Sequence, residues 1–192
     1  MKNLALYTIV ICSLLSVKGF AQVVKQGEKF AGVHVIQDKV TFLKEVSLPK
    51  NVTLDSNYKT LKTWATNNYG KDLFVSSVHH DPKNHEFTAK SRVELLLPEN
   101  STGHRIKMVM RYRINGFIHN DKCVFEITDI SYLCENHKKN NLLSKTVRAE
   151  EFITDYAMES DDGLHEIKNN TRMSTLYFLD ELGRDFESKF GH

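Results

Sequence analysis

Apolar and polar residues alternate over residues 104–114, HRIKMVMRYRI, more regularly than elsewhere in the chain. Alternate side chains of a β-strand point to opposite faces of its sheet. One face of this segment is apolar: Ile106, Met108, Met110, Tyr112 and Ile114. Apart from Val109, the other face is basic: Arg105, Lys107, Arg111 and Arg113. The pattern predicts a strand whose basic face either binds an anion or is solvated beside acidic neighbours.

Four further segments are predicted as strands from similar patterns: residues 39–48, 72–80, 85–97 and 123–133. Pro49 ends the first of them, because proline cannot donate a hydrogen bond to a neighbouring strand. Residues 81–84 form a turn between the second and third, with proline at its favoured second position. In the last strand the apolar positions change phase between Ile127 and Ile130, which predicts a β-bulge near Asp129 or an early strand end.

Helical spacing replaces alternation in three segments: residues 51–69, 147–158 and 173–190. Thr53 or Asp55 is the expected N-cap of the first helix. The second helix is expected to bury Phe152 and Tyr156. In the third, Gly183 indicates either a close backbone approach or a break, because glycine inside a helix costs about 1 kcal/mol relative to alanine.

The order of these elements is strand, helix, four strands and helix, with an insertion before the final helix. We therefore expect an α+β fold of two layers, in which helices cover one face of a mainly antiparallel five-stranded sheet. Residues 22–192 would form this single domain. Its best-defined part would be 39–133, followed by a polar insertion with a short helix over 134–170 and a C-terminal helix over 171–192.

The N-terminus has the pattern of a secretory signal peptide. Lys2 precedes an almost wholly apolar run, residues 4–17, and Gly19 and Ala21 place small residues where a signal peptidase reads them. The run is too short to span a bilayer comfortably. We expect cleavage after Ala21, no stable membrane insertion afterwards, and an extracytoplasmic location, either periplasmic or secreted.

Removal of this peptide changes the charge balance. The full chain has 26 basic and 24 acidic residues, and residues 1–21 contain two lysines and no acid, so the mature chain has 24 of each. Nucleic-acid binding depends on net and clustered positive charge, so we expect no nucleic-acid partner. The cations of the basic strand are expected to pair with Glu86 and Glu94 on one side or Glu126 on the other.

Two pairs of residues carry candidate chemistry. His80 and His85 flank the predicted turn and could face each other as metal ligands with Asp81 nearby, or could be ordinary polar residues beside an exposed turn. Cys123 and Cys134 could form a disulfide or remain two buried thiols. In one extended strand they would lie about 36 Å apart, so a bridge needs the chain to turn back between them.

Three blocks, VTFLKEVSLP, YKTLKTWATNNY and CVFEITDIS, occur in this order between Lys39 and Tyr132. In sequence and separation they resemble a family of exported proteins from Bacteroides-type bacteria, known as a domain of unknown function with a TATA-box-binding-protein-like fold. The fold that this resemblance implies, one strand, a helix, four strands and a helix, agrees with the order obtained from the patterns. The family has no assigned catalytic residues, so the resemblance implies none here.

These observations favour a non-enzymatic binding or interaction module of the cell envelope, whose sheet face or edge meets a protein or another envelope ligand. No catalytic residue is identified, because the chain has neither a nucleophile elbow nor a glycine-rich phosphate loop, and no cofactor is expected. The alternative is a small metal-dependent hydrolase that uses the His80 and His85 hairpin.

Overall fold

A seven-stranded sheet forms one layer of the molecule, and two long helices form the other. The computed structural model describes residues 23–99, 103, 105–134 and 146–190. The expected signal peptide and part of the expected polar insertion lie outside these residues.

The strands are β1 Val23–Val24, β2 Val35–Ile36, β3 Lys39–Val40, β4 Phe42–Ser47, β5 Ser76–Asp81, β6 Glu86–Glu99, β7 Arg105–His119, β8 Lys122–Cys134 and β9 Val147–Arg148. The helices are α1 Leu54–Tyr69, α2 Asp155–Met158 and α3 His165–Phe190, with a 3-10 turn at Ala149–Glu151. The five longer strands lie in the spatial order β4, β8, β7, β6, β5 and are antiparallel. Two short strands extend them: β1 pairs with β4 in parallel, and β9 pairs with β8. The expected α+β architecture is confirmed.

Strand β7 has the two faces that its sequence predicts. All five of its apolar-face residues are buried, from Ile106 to Ile114, while Arg105, Lys107 and Arg111 are exposed. The side chains of β6 alternate in the same way, with Phe87, Ala89, Leu95 and Leu97 buried. The sheet therefore has one apolar face, covered by helices, and one open face that is mostly polar.

Strand β8 contains the predicted β-bulge. Arg111 pairs with Ser131 and Arg113 with Thr128, so the single residue between the two arginines faces both Asp129 and Ile130. Asp129 has a φ of 52°, a left-handed conformation that aspartate tolerates better than most residues. The extra residue restores the inward phase of the strand after Ile127, so that Ile130 is buried.

Aromatic rings connect the helices to the sheet. The Phe186 ring of α3 lies 4.9 Å from the ring of Trp64 in α1 and 4.8 Å from that of Phe125 in β8, centroid to centroid. Trp64 Nε1 donates a hydrogen bond of 2.7 Å to Asp185 Oδ2. At the start of α1, Thr53 Oγ1 accepts from the Ser56 amide, which makes Thr53 the N-cap.

Gly183 marks a close approach of α3 to the sheet. A Cβ atom at this position would lie 3.1 Å from Cδ of Lys44, so the small residue lets the helix pass over a lysine that is buried in β4. Lys44 Nζ lies 2.7 Å from Glu187 Oε1 and donates to the Glu28 carbonyl, also at 2.7 Å. The helix continues through Gly183, so of the two expectations for this glycine the close approach is correct.

Residues 147–158 do not form one helix, contrary to expectation. Val147–Arg148 pairs with β8, and Thr154 then starts the separate one-turn helix α2 by accepting a hydrogen bond from the Ala157 amide. Phe152 is buried as expected, but Tyr156 is exposed, so its expected place in the core is wrong.

Helix α3 begins at His165, well before the expected start at residue 173. Lys168, which the polar sequence around it placed in a loop, is buried inside the helix. Its Nζ donates to the Ala157 carbonyl at 2.8 Å and to Asp162 Oδ2 at 2.5 Å. Lys168 is buried because it bonds to the preceding loop. The polar sequence around it therefore predicted the wrong start for α3.

Replacing Lys44 with methionine should lower the free energy of unfolding by about 3 kcal/mol, because it leaves the Glu187 carboxylate without its buried cation. Urea denaturation measures this loss. Lys122→Met is the matched control, since Lys122 pairs with Glu45 on the same sheet but is about half exposed. That change should cost less than about 1 kcal/mol. Equal losses in the two variants would contradict a stabilising role for the buried pair.

Candidate binding site on the open face of the sheet

Three of the four cations predicted on β7 have acidic partners. Arg105 Nε lies 3.2 Å from Glu99 Oε1, Lys107 Nζ 2.8 Å from Glu94 Oε1, and Arg113 Nη2 2.8 Å from Asp129 Oδ2. Of the expected partners only Glu94 is used, and Glu126 instead accepts a hydrogen bond from the Asn115 side chain. This part of the basic row is solvated surface with its charge balanced.

Arg111 is the exception, and strand β6 places Arg92 directly opposite it. Both side chains are exposed, and among the described residues neither guanidinium has an acidic partner. The next pair outward along the two strands, Lys90 and Arg113, is also a pair of cations. Like charges directly opposite on adjacent strands destabilise a sheet. The centre of the open face therefore has a local excess of positive charge.

Asp129 is an acidic residue in direct contact with one of these cations, Arg113. Its Oδ1 accepts from Lys39 Nζ at 2.6 Å, while its other oxygen meets Arg113. The hydrogen bond from Lys39, with the charges of Arg113 and Lys90, holds the pKa of Asp129 below its ordinary value, and burial opposes this shift. Because this carboxylate is shared by Lys39 and Arg113, Arg92 and Arg111 are left without an acidic partner in the part of the chain that the structure describes.

Lys90, Arg92, Arg111 and Arg113 line a cavity of about 500 Å³ that is widely open to solvent. Its other side is formed by the segment between α1 and β5, which contributes Leu73, Phe74 and Val75. The cations on the sheet therefore lie beside an apolar wall, formed by Leu73, Phe74 and Val75.

The sequence suggested that residues 72–75 begin strand β5, but they form a turn, and this turn produces the apolar wall. Asp72 Oδ1 accepts from the Phe74 amide at 2.9 Å, and the Asp72 carbonyl accepts from the amides of Val75 and Ser76. Aspartate competes with strand pairing through such local hydrogen bonds. The expected strand boundary at residue 72 is therefore wrong, and Leu73 and Phe74 are exposed.

The structure does not bring His80 and His85 together. His80 Nε2 lies 3.1 Å from Thr66 Oγ1, whereas His85 Nε2 lies 3.3 Å from Asp55 Oδ1. Thr66 and Asp55 are about 16 Å apart along the axis of α1. Among the described residues, no three His, Cys, Asp or Glu side chains form a group that could hold a metal ion. The two-histidine metal site is therefore a wrong expectation.

The two cysteines both lie in β8, which is continuous from Lys122 to Cys134. Cys123 is a free, buried thiol at the end of β8 that pairs with Val46 of β4. Burial raises the pKa of its thiol, which disfavours the reactive thiolate. Because the chain does not turn back between them, an internal disulfide between Cys123 and Cys134 is not formed.

Residues 42–133 match the model of a family described as a domain of unknown function (DUF4468) with TBP-like fold. This segment contains β4 to most of β8, and so the cations Lys90, Arg92, Arg111 and Arg113. Residues 42–133 are a DUF4468 domain. The resemblance to a domain of unknown function with a TBP-like fold is confirmed.

Two solved structures share the fold of this chain. A TBP-like protein from Parabacteroides distasonis is 22% identical, with a TM-score of 0.68 over 82% of this chain and 96% of that one. A DUF4468 family protein from Bacteroides ovatus is 17% identical, with a TM-score of 0.64 over 85% of this chain and 93% of that one. No curated protein matches the chain.

Part of the cationic cluster of the DUF4468 domain, which consists of Lys90, Arg92, Arg111 and Arg113, could be predicted from the sequence. Alternation alone assigns Lys90, Arg92, Arg111 and Arg113 to the same face of the sheet. It does not show that Arg92 lies opposite Arg111, because this depends on the register between β6 and β7. The contribution of Phe74 was also missed. The available signal was Asp72, a residue type that favours turns over strands.

Asp129→Asn should lower the free energy of unfolding by up to about 1 kcal/mol at neutral pH, because two partly exposed ion pairs are lost. Asparagine tolerates the positive φ of the bulge, so the change isolates the charge. The pKa of Asp129 is lowered in the folded state, so its stabilisation is present above the ordinary value of 3.8 and is lost as the pH falls through the folded-state pKa.

Urea denaturation of the wild type and Asp129→Asn at pH 7 and at acid pH measures this difference. The control is Asp161→Asn, which changes an exposed loop carboxylate. A difference that persists unchanged in acid would contradict the assigned role of the Asp129 charge.

Proposed function

We propose that this protein is an exported, non-enzymatic binding module and that the cavity on the open sheet face holds an anionic ligand of the cell envelope. The observation that carries the proposal is the Arg92 and Arg111 pair, two directly opposite cations without an acidic partner among the described residues. A fold alone does not identify a function, so the proposal depends on the Arg92 and Arg111 pair and not on the fold.

An oxyanion suits this pair for a simple reason. Directly opposite residues in an antiparallel sheet have Cβ atoms about 5 Å apart, so the side chains of Arg92 and Arg111 start side by side and their like charges repel each other. Each guanidinium presents several N–H donors in a plane, which match the oxygen atoms of a phosphate or carboxylate. An anion that accepts from both removes the repulsion and adds charge-assisted hydrogen bonds.

The other residues of the cavity favour binding over catalysis. The described residues that line it include no histidine or cysteine. Their carboxylate, Asp129, is engaged by Lys39 and Arg113, and its pKa is lowered, so it is a poor acceptor of protons near neutral pH. A group that is held in an ion pair and stays ionised is poorly suited to general acid or base work.

Export is supported by the signal-peptide pattern that ends at Ala21. Among the described residues, no helix is both long and apolar enough to cross a membrane. Mass spectrometry of the protein recovered outside the cytoplasm should give Gln22 as its first residue. Recovery only from the cytoplasm, with Met1 to Ala21 retained, would contradict export.

The double variant Arg92→Gln/Arg111→Gln should bind inorganic phosphate at least about tenfold more weakly than the wild type, because it loses charge-assisted hydrogen bonds from both sides of the anion. Isothermal titration calorimetry at low ionic strength measures the affinity. Since both side chains are exposed, the fold should be unaffected, and the urea midpoint checks this.

The matched control is Lys59→Gln/Arg184→Gln, which removes the same charge from exposed positions of the helix layer. Its phosphate affinity should stay within about twofold of the wild type, since it changes only distant, screened charges. Equal weakening in both variants, or no phosphate binding by the wild type, would contradict the proposed site.

A further inference from the structure

The geometry points to an amphiphilic ligand: an oxyanion that carries an aromatic or alkyl group, with the anion at Arg92 and Arg111 and the apolar group against Leu73 and Phe74. This inference rests on the proposed function, because it assigns the anion to the same cavity. It adds the second half of the ligand, which the cations alone do not specify.

The apolar wall is unusually exposed. Phe74 is 93% exposed and its neighbour Leu73 is 81% exposed. Leaving a large apolar side chain in water is unfavourable relative to burying it. Both residues line the cavity that the cations line, so their exposed surface adjoins the place where the anion would bind.

This exposure is fixed by the local structure. The Asp72 turn holds the backbone of residues 72–76, and Ser76 Oγ donates to the Tyr69 carbonyl at 2.9 Å, which anchors the turn to the end of α1. On the other side, the Arg92 amide donates to the Val75 carbonyl at 3.2 Å. The apolar wall is therefore hydrogen-bonded directly to the strand that carries Arg92.

The Phe74 ring has no ring partner in the part of the chain that the structure describes. Among the described residues, the observed ring pairs do not include Phe74, and the observed cation–π contact joins Lys44 to Phe30. The ring is thus available to a ligand, and an aromatic group could stack on it. An alkyl group would instead remove apolar surface from water on both partners.

The composition of the site favours a single small molecule over a membrane surface. Its cations come from two neighbouring strands and its exposed apolar side chains from one short turn. The cations lie within this concavity beside the apolar wall, whereas interfacial binding typically uses an amphipathic helix with basic residues along its polar face. We therefore assign the site to a dissolved amphiphilic anion.

Three probes test the assignment by calorimetry: inorganic phosphate, phenyl phosphate and phenol. The wild type should bind phenyl phosphate at least about tenfold more tightly than phosphate, and phenol weakly or not at all, because phenol has the ring but no anion. Phe74→Ser should remove the phenyl advantage and leave phosphate affinity within about twofold. The exposed position of Phe74 makes this change compatible with folding.

Tyr156→Ser is the matched control, because Tyr156 is 85% exposed in helix α2, away from the cavity. It should keep the full phenyl advantage. Equal affinities for phosphate and phenyl phosphate, with both dependent on Arg92 and Arg111, would overturn this inference and leave the proposed function intact. If the wild type binds neither phosphate nor phenyl phosphate, both this inference and the proposed function are overturned.

A fourth measurement separates the two sources of an amphiphilic anion. Co-sedimentation with phosphatidylglycerol vesicles should be weak and insensitive to Phe74→Ser. Strong vesicle binding that Phe74→Ser abolishes, together with no phenyl advantage in solution, would replace the dissolved ligand with a lipid surface.

Discussion

The extra residue in strand β8 keeps both faces of the sheet in register. Without the bulge at Asp129, the strand would continue the phase of Ile127 and would turn Ile130 and Tyr132 toward solvent. Tyr132 is fully buried, and its hydroxyl lies 2.9 Å from Thr175 Oγ1 of α3. The same bulge leaves the Asp129 carboxylate on the open face, where it neutralises part of the cationic cluster. One backbone irregularity thus fixes the packing of the core and the charge pattern of the candidate site.

The helices explain why only one face of the sheet is open to solvent. Helices α1 and α3 cover the apolar side, and the Lys44 and Glu187 pair beneath Gly183 places the one deeply buried cation of the described sheet on that side. The other side stays in water, where a like-charged pair such as Arg92 and Arg111 is tolerated because solvent screens it. A bound anion would contribute what the fold does not provide, an opposite charge between the two guanidiniums.

The order of the major elements could be predicted because alternation and helical spacing report which face of each element is buried. The phase change before Ile130 even located the bulge. Features that depend on pairing between elements could not be read locally: the register that sets Arg92 against Arg111, and the buried contacts of Lys168 that extend α3. Phe74 was misplaced because the apolar run from Leu73 to Val75 is also typical of a strand, whereas the Asp72 side chain stabilises a turn instead. The His80 and His85 pairing failed for a related reason, since each ring contacts helix α1 at a different point.

We propose that Arg92 and Arg111 together bind an oxyanion. NMR detection of the arginine side-chain Nε–Hε groups during a titration with inorganic phosphate tests this, because each guanidinium reports its own contacts. We expect large, saturable shifts for Arg92 and Arg111 and little change for Arg184, on the helix layer. Small shifts of similar size for all arginines, as expected from general ionic-strength effects, would contradict it.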